Sequence, residues 1–71
     1  MTIEEARIYM GMTQKDLAKL MGISHRAYTY KCKGDYQWSL KELTTITDNC
    51  DTDLLIKSGD NYYRVNIQKV G

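Results

Sequence analysis

The chain contains no proline and no phenylalanine, and histidine occurs only once. No uninterrupted apolar run is longer than Ile8-Tyr9-Met10 or Leu54-Leu55-Ile56. Runs that short exclude a membrane-spanning helix, which needs about 20 apolar residues. No signal peptide is recognisable either, so the expected location is the cytoplasm, away from any membrane. Cysteine is scarce: Cys32 and Cys50 show no metal-ligand spacing and no CxxC pair, and nothing indicates export or a metal. The lone His25 has no cysteine or paired carboxylates arranged with it. The five glycines, Gly11, Gly22, Gly34, Gly59 and Gly71, fall at turns or at the terminus and form no phosphate-binding loop. A chain of 71 residues also has little room for a deep pocket. Together these absences argue against an enzyme and against any cofactor.

What remains is a small globular composition, 42% hydrophobic, that supports one domain near the size where folding is marginal without help. Six tyrosines suit surfaces half buried against something else. The net charge of +1 announces no partner, but its distribution does. From Thr13 to Lys41 there are six basic residues (Lys15, Lys19, Arg26, Lys31, Lys33, Lys41) against two acidic ones. The flanks hold four basic and seven acidic residues. A basic middle between acidic flanks fits a local footprint on phosphates.

The middle has its own pattern. Thr13 is an N-cap with Asp16 at the capping-box position, and Leu17, Leu20 and Met21 follow at i, i+3 and i+4 as an apolar face. Ala18 is small enough to let another helix approach. Gly22 supplies a left-handed stop, Ile23 an apolar plug, and Ser24 caps a second helix that Gly34 ends. Two capped helices this close are the sequence form of a helix-turn-helix.

Thr13–Gly34 resembles the helix-turn-helix of the lambda-repressor-like (XRE/Cro) family of phage and bacterial regulators. The matching residues are Met12-Thr13-Gln14, Leu17-Ala18, Gly22-Ile23-Ser24 and Gly34. The resemblance extends less sharply from Ile3 to about Ile56. It implies a DNA-binding regulator, and it implies that Gln14 contacts the DNA backbone. Three residues depart from the family's pattern: Tyr28 stands for Ile or Val, Lys31 for a large apolar residue, and Cys32 for the usual Glu. That Glu commonly pairs with an Arg near the position of Arg7, so Arg7 needs another acceptor or faces solvent. Such departures suggest a differently packed second helix.

On either side, Thr2 and Glu5 form a capping box for a first helix whose Ile3, Ala6, Arg7 and Met10 recur at helical spacing before Gly11. Ser39, with Glu42, caps a fourth helix whose inward stripe is Leu40, Leu43, Ile46 and Thr47. Trp38, before it, reads as core edge, with a partner contact as the alternative. After Asp51 the period becomes alternating. Asp53–Lys57 and Tyr62–Val70, separated by the turn cluster Ser58-Gly59-Asp60-Asn61, read as a β-hairpin with Tyr63, Val65 and Ile67 on its apolar face. The competing reading is a short fifth helix over Asp51–Ile56. The fold expected is α+β, a single domain over residues 1–71. Four short helices containing the helix-turn-helix occupy residues 1–50, and a C-terminal hairpin occupies 51–71.

The second motif helix turns Tyr28 inward, on the side of Ile23, and presents His25, Arg26, Thr29, Tyr30 and Lys33. In a helix lying in the major groove its N-terminal residues reach base edges. Arg26 has the fork that reads guanine, His25 can donate or accept, and Thr29 and Tyr30 suit a thymine methyl or a phosphate. Gln14 and Ser24, at helix N-termini, suit the phosphate backbone, and Lys15, Lys33 and Lys41 suit non-specific phosphate contacts. The first expectation is a Cro-like phage or prophage regulator that binds operator DNA, double-stranded, as a homodimer through the hairpin. The second is an antirepressor that binds the DNA-binding domain of a phage repressor protein.

Overall fold

A computed structural model describes residues 1–66 as four helices followed by two strands: α1 (Ile3–Tyr9), α2 (Gln14–Met21), α3 (His25–Lys33), α4 (Leu40–Thr47), β1 (Leu54–Ser58) and β2 (Asn61–Val65). The arrangement is the α+β one expected from sequence. Each helix begins at a hydroxyl that accepts the backbone N–H three residues on, from Thr2 to Glu5, Thr13 to Asp16, Ser24 to Ala27 and Ser39 to Glu42. In α1, α2 and α4 the carboxylate at the third helical position answers by accepting the cap residue's own N–H, so two otherwise orphaned donors are satisfied at each of these N-termini. The α2–α3 turn closes with Gly22 at φ +78°. Its N–H donates to Lys19 O at 3.1 Å and that of Ile23 to Ala18 O at 3.0 Å. This is the paired closure of a Schellman turn, which requires a left-handed residue at this point.

The core gathers Ile3, Ala6, Leu17, Ala18, Met21, Tyr28, Trp38, Leu43, Ile46, Cys50 and Leu54. Tyr28 is fully buried, as its inward reading requires, and its ring meets Trp38 edge-on at 5.8 Å between centroids. Trp38 is therefore core rather than surface. Among the described residues the Tyr28 hydroxyl and the Trp38 indole N–H, both buried, make no hydrogen bond of ordinary length.

Two expected core residues lie outside it. Leu20 is 48% exposed because the buried stripe of α2 runs through Leu17, Ala18 and Met21, with Ala18 in the place expected of Leu20. Leu40 is 70% exposed. It is the first residue of α4, and the buried stripe begins a turn later with Leu43, Ile46 and Thr47, while Trp38 supplies the large side chain at this end of the core.

The hairpin replaces the fifth-helix reading and differs slightly in its bounds. Ser58 and Asn61 pair across the strands, leaving a two-residue turn, Gly59-Asp60, with Gly59 at φ +60° in the first turn position. The antiparallel register runs Leu54↔Val65, Leu55↔Arg64, Ile56↔Tyr63, Lys57↔Tyr62 and Ser58↔Asn61. Leu54 is fully buried and Ile56 and Val65 pack partly against the core, but Tyr63, on the same face, is half exposed. The expected continuation of the second strand through Ile67 to Val70 lies outside the described residues. The far side of β1 meets the chain's start: Thr2 bridges Leu55 in parallel, and Leu55 N–H donates to Met1 O at 2.7 Å. Among the described residues β2 is thus the open edge of the sheet.

Candidate nucleic-acid interface

The site is built on α3, and its two faces differ in kind. The inner face holds Tyr28 in the core and Lys31 against α4, where the ammonium donates to both oxygens of Glu42 at 2.5 Å. Both side chains of this pair are largely buried. Burial alone would raise the Glu42 carboxyl. Hydrogen bonds from Lys31 and from the Ser39 backbone, together with the Lys31 charge, hold it below its usual value instead. So one of the six cations of the basic middle is already neutralised inside the protein. Cys32, also on this side, lies half-buried near Glu4, its thiol 3.9 Å from the carboxylate, and burial pushes that thiol up to about 11. A thiol held protonated is a poor nucleophile.

The outer face presents His25, Arg26 and Lys33 exposed, with Thr29 and Tyr30 partly covered. Arg26 folds along its own helix: the guanidinium lies 5.5 Å from the centre of the Tyr30 ring and Nη2 is 3.4 Å from the phenol oxygen. Tyr30 also has Lys33 Nζ 5.8 Å from its ring centre and Tyr36 tilted against it at 5.4 Å. One tyrosine therefore braces two cations and leans on a second tyrosine. The Thr29 hydroxyl donates back to Arg26 O at 2.8 Å, and the Ser24 hydroxyl is taken by its cap. Lys15, Lys19 and Lys41 are exposed.

Behind the first turn of α3 runs a row of polar contacts. Gln14 Nε2 donates to Glu4 Oε1 at 2.7 Å, and Gln14 Oε1 lies 2.9 Å from His25 Nε2. Arg7 finds the acceptor its family counterpart has in α3 elsewhere: its Nε donates to Glu4 Oε2 at 2.7 Å and its Nη1 to Met12 O at 2.7 Å. Burial would raise the Glu4 carboxyl, but hydrogen bonds from Arg7 and Gln14 and the Arg7 charge outweigh it, so the group is held below its usual value and stays ionised.

The structure thus brings Gln14 and His25 into contact and gathers Arg26, Tyr30 and Lys33 into one cluster. Lys15 and Ser24 stand apart from those contacts. Two contributors escaped the sequence: Tyr36, in a stretch without periodicity, and Glu4, whose partners lie 3 and 10 residues away. Neither carries a sequence signal beyond its residue type. Among the described residues no cluster of His, Cys, Asp and Glu could hold a metal, and no helix is long and apolar enough to cross a membrane.

The model of the helix-turn-helix family of XRE/lambda-repressor-like proteins matches residues 3–55, from the start of α1 into β1. The chain belongs to that family. It is a DNA-binding helix-turn-helix domain of the transcription-regulator type. The match ends inside β1, so the rest of that strand and all of β2 lie beyond the matched residues. No curated protein and no solved structure matches the chain.

Proposed function

We propose that this helix-turn-helix protein is a Cro-like phage or prophage regulator that binds operator DNA and occludes a promoter, acting in the cytoplasm without catalysis or cofactor. In this reading α3 lies in the major groove. His25 and Arg26, exposed on its first turn, approach base edges, with Thr29 and Tyr30 one turn on. Gln14, Lys15, Ser24 and Lys33 face the phosphates. The single observation that carries the reading is the family match over a helix pair whose second member keeps Arg26 and His25 outward while its other face is closed by Tyr28 and the Lys31–Glu42 pair. The open edge of β2 offers a second copy a place to add a strand, which would space two recognition helices on a two-fold site.

A second reading draws on a different observation. Tyr36, Tyr62 and Tyr63 are each at least half exposed, and Ile8 and Tyr9 on α1 more so. Surfaces of that kind suit contact with another protein, and the partner proposed is the DNA-binding domain of a phage repressor. Selection of bound sequences from random duplex DNA separates the two. Enrichment of a short two-fold sequence that disappears with Arg26→Ala supports the operator reading. Weak binding that vanishes as salt rises, with no enriched sequence, supports the repressor partner.

A further inference from the structure

Arg7, Glu4, Gln14 and His25, drawn from three helices, form an unbroken hydrogen-bonded row that ends at the first residue of α3. Its polarity follows from donors and acceptors alone. An ionised carboxylate only accepts. Arg7 Nε donates to one oxygen of Glu4, so the Gln14 atom 2.7 Å from the other oxygen must be its NH2 group. The planar amide then turns its carbonyl oxygen to His25. That oxygen also only accepts, so Nε2 of His25 carries the hydrogen across the 2.9 Å contact. A neutral imidazole has a single N–H. In that neutral form Nδ1 is a bare acceptor, and it makes no hydrogen bond among the described residues, on an exposed side chain at the start of the recognition helix.

We infer that Glu4 and Gln14 are positioning residues that fix the tautomer of His25, so that its Nδ1 reads a base amino group, adenine N6 or cytosine N4, in the major groove. Guanine and thymine present only acceptors at the corresponding edge, and two facing acceptors repel. The inference rests on the DNA-binding reading above. It also gives Glu4 a task that an acidic residue near phosphates would otherwise lack: its charge sets the direction of every hydrogen bond in the row. A glutamine in its place both donates and accepts, so the row could then run in either direction.

His25 is the chain's only histidine, so nitrogen–proton NMR correlations of the neutral ring report this one side chain. The expected result is the Nε2–H tautomer in the unaltered protein, and a mixture of tautomers in both Glu4→Gln and Gln14→Leu. An Nδ1–H ring in the unaltered protein would overturn the inference. So would an unmixed Nε2–H ring in both variants, if their spectra remain folded. The same proteins are then put through selection on random duplex DNA. Adenine or cytosine should be favoured about tenfold at one position per half-site. That preference should fall to about twofold in Glu4→Gln and vanish at that position alone in His25→Ala. A guanine preference that depends on His25, or a preference unchanged by Glu4→Gln, contradicts the assignment. An Nε2–H ring with no sequence enriched at all removes the DNA-binding reading and the base assignment together, leaving only the tautomer.

Discussion

Between Thr13 and Gly34 each helix end is closed by a hydroxyl cap or a left-handed glycine, whereas between Leu54 and Val65 one strand carries the fully buried side chain and the other is open along its edge. Besides the packing of β1 on the helices, one backbone hydrogen bond among the described residues joins the two regions, from Gly59 N–H to Gly34 O at 2.9 Å. The helix-turn-helix is specified mainly by its own residues. The hairpin takes its place from what β1 touches: α3 on one side, and α1 with the Met1–Thr2 segment on another. An isolated hairpin of this size is marginal in water, so its order is borrowed from the helices.

Substitutions that treat equivalent chemistry in both regions sharpen this contrast. The largest effect is expected at the tyrosines. Tyr28→Ala empties a fully buried site and should cost about 3–5 kcal/mol of unfolding free energy in denaturant titrations. Tyr63→Ala, half exposed on β2, should cost less than about 1 kcal/mol. Equal losses would show the hairpin to be as tightly built as the helices.

Next come the lysines. Lys31→Met strands the buried Glu42 carboxylate and should cost about 3 kcal/mol. Adding Glu42→Gln removes the charge while keeping an acceptor for the Ser39 N–H, and should recover much of that loss. Among the described residues the Lys57 ammonium contacts the exposed Tyr62 ring at 5.9 Å and forms no salt bridge, so Lys57→Met should cost about 0.5 kcal/mol.

The smallest differences are expected at the glycines, and these probe the junction itself. Both Gly22→Ala and Gly34→Ala force a side chain into left-handed backbone, a strain of about 1–2 kcal/mol. At Gly22 a new Cβ meets open space, but at Gly34 it lies 2.8 Å from Gly59 O and 3.0 Å from Gly59 N. Gly34→Ala should therefore lose about 1 kcal/mol more than Gly22→Ala in thermal unfolding, and the excess should vanish if the hairpin is not docked there.

The contrast also explains what was legible in the sequence. Caps and glycine stops are local, so the four helices, the turn and the inward Tyr28 could be read from residue type and spacing. The exposures of Leu20 and Leu40 could not, because they depend on which part of each stripe meets a neighbour. In α2 the small Ala18 is buried while Leu20 is half exposed. Lys31 looked like a fault in an apolar position, but its partner Glu42 stands eleven residues away on another helix. The candidate site divides the same way. The outward set His25, Arg26, Thr29, Tyr30 and Lys33 follows from the helical period. The braces that orient it, Glu4 behind Gln14 and Tyr36 beside Tyr30, arise only when separate elements come together.

The central claim is that the outer first turn of α3 reads duplex DNA. Its most direct test measures the affinity of the selected duplex for the unaltered protein and for Arg26→Ala, alongside a scrambled duplex of equal length. Loss of about 1–3 kcal/mol of binding free energy on the selected duplex, with little change on the scrambled one, is the result predicted. Equal weakening on both would contradict it and reduce Arg26 to one phosphate contact among several.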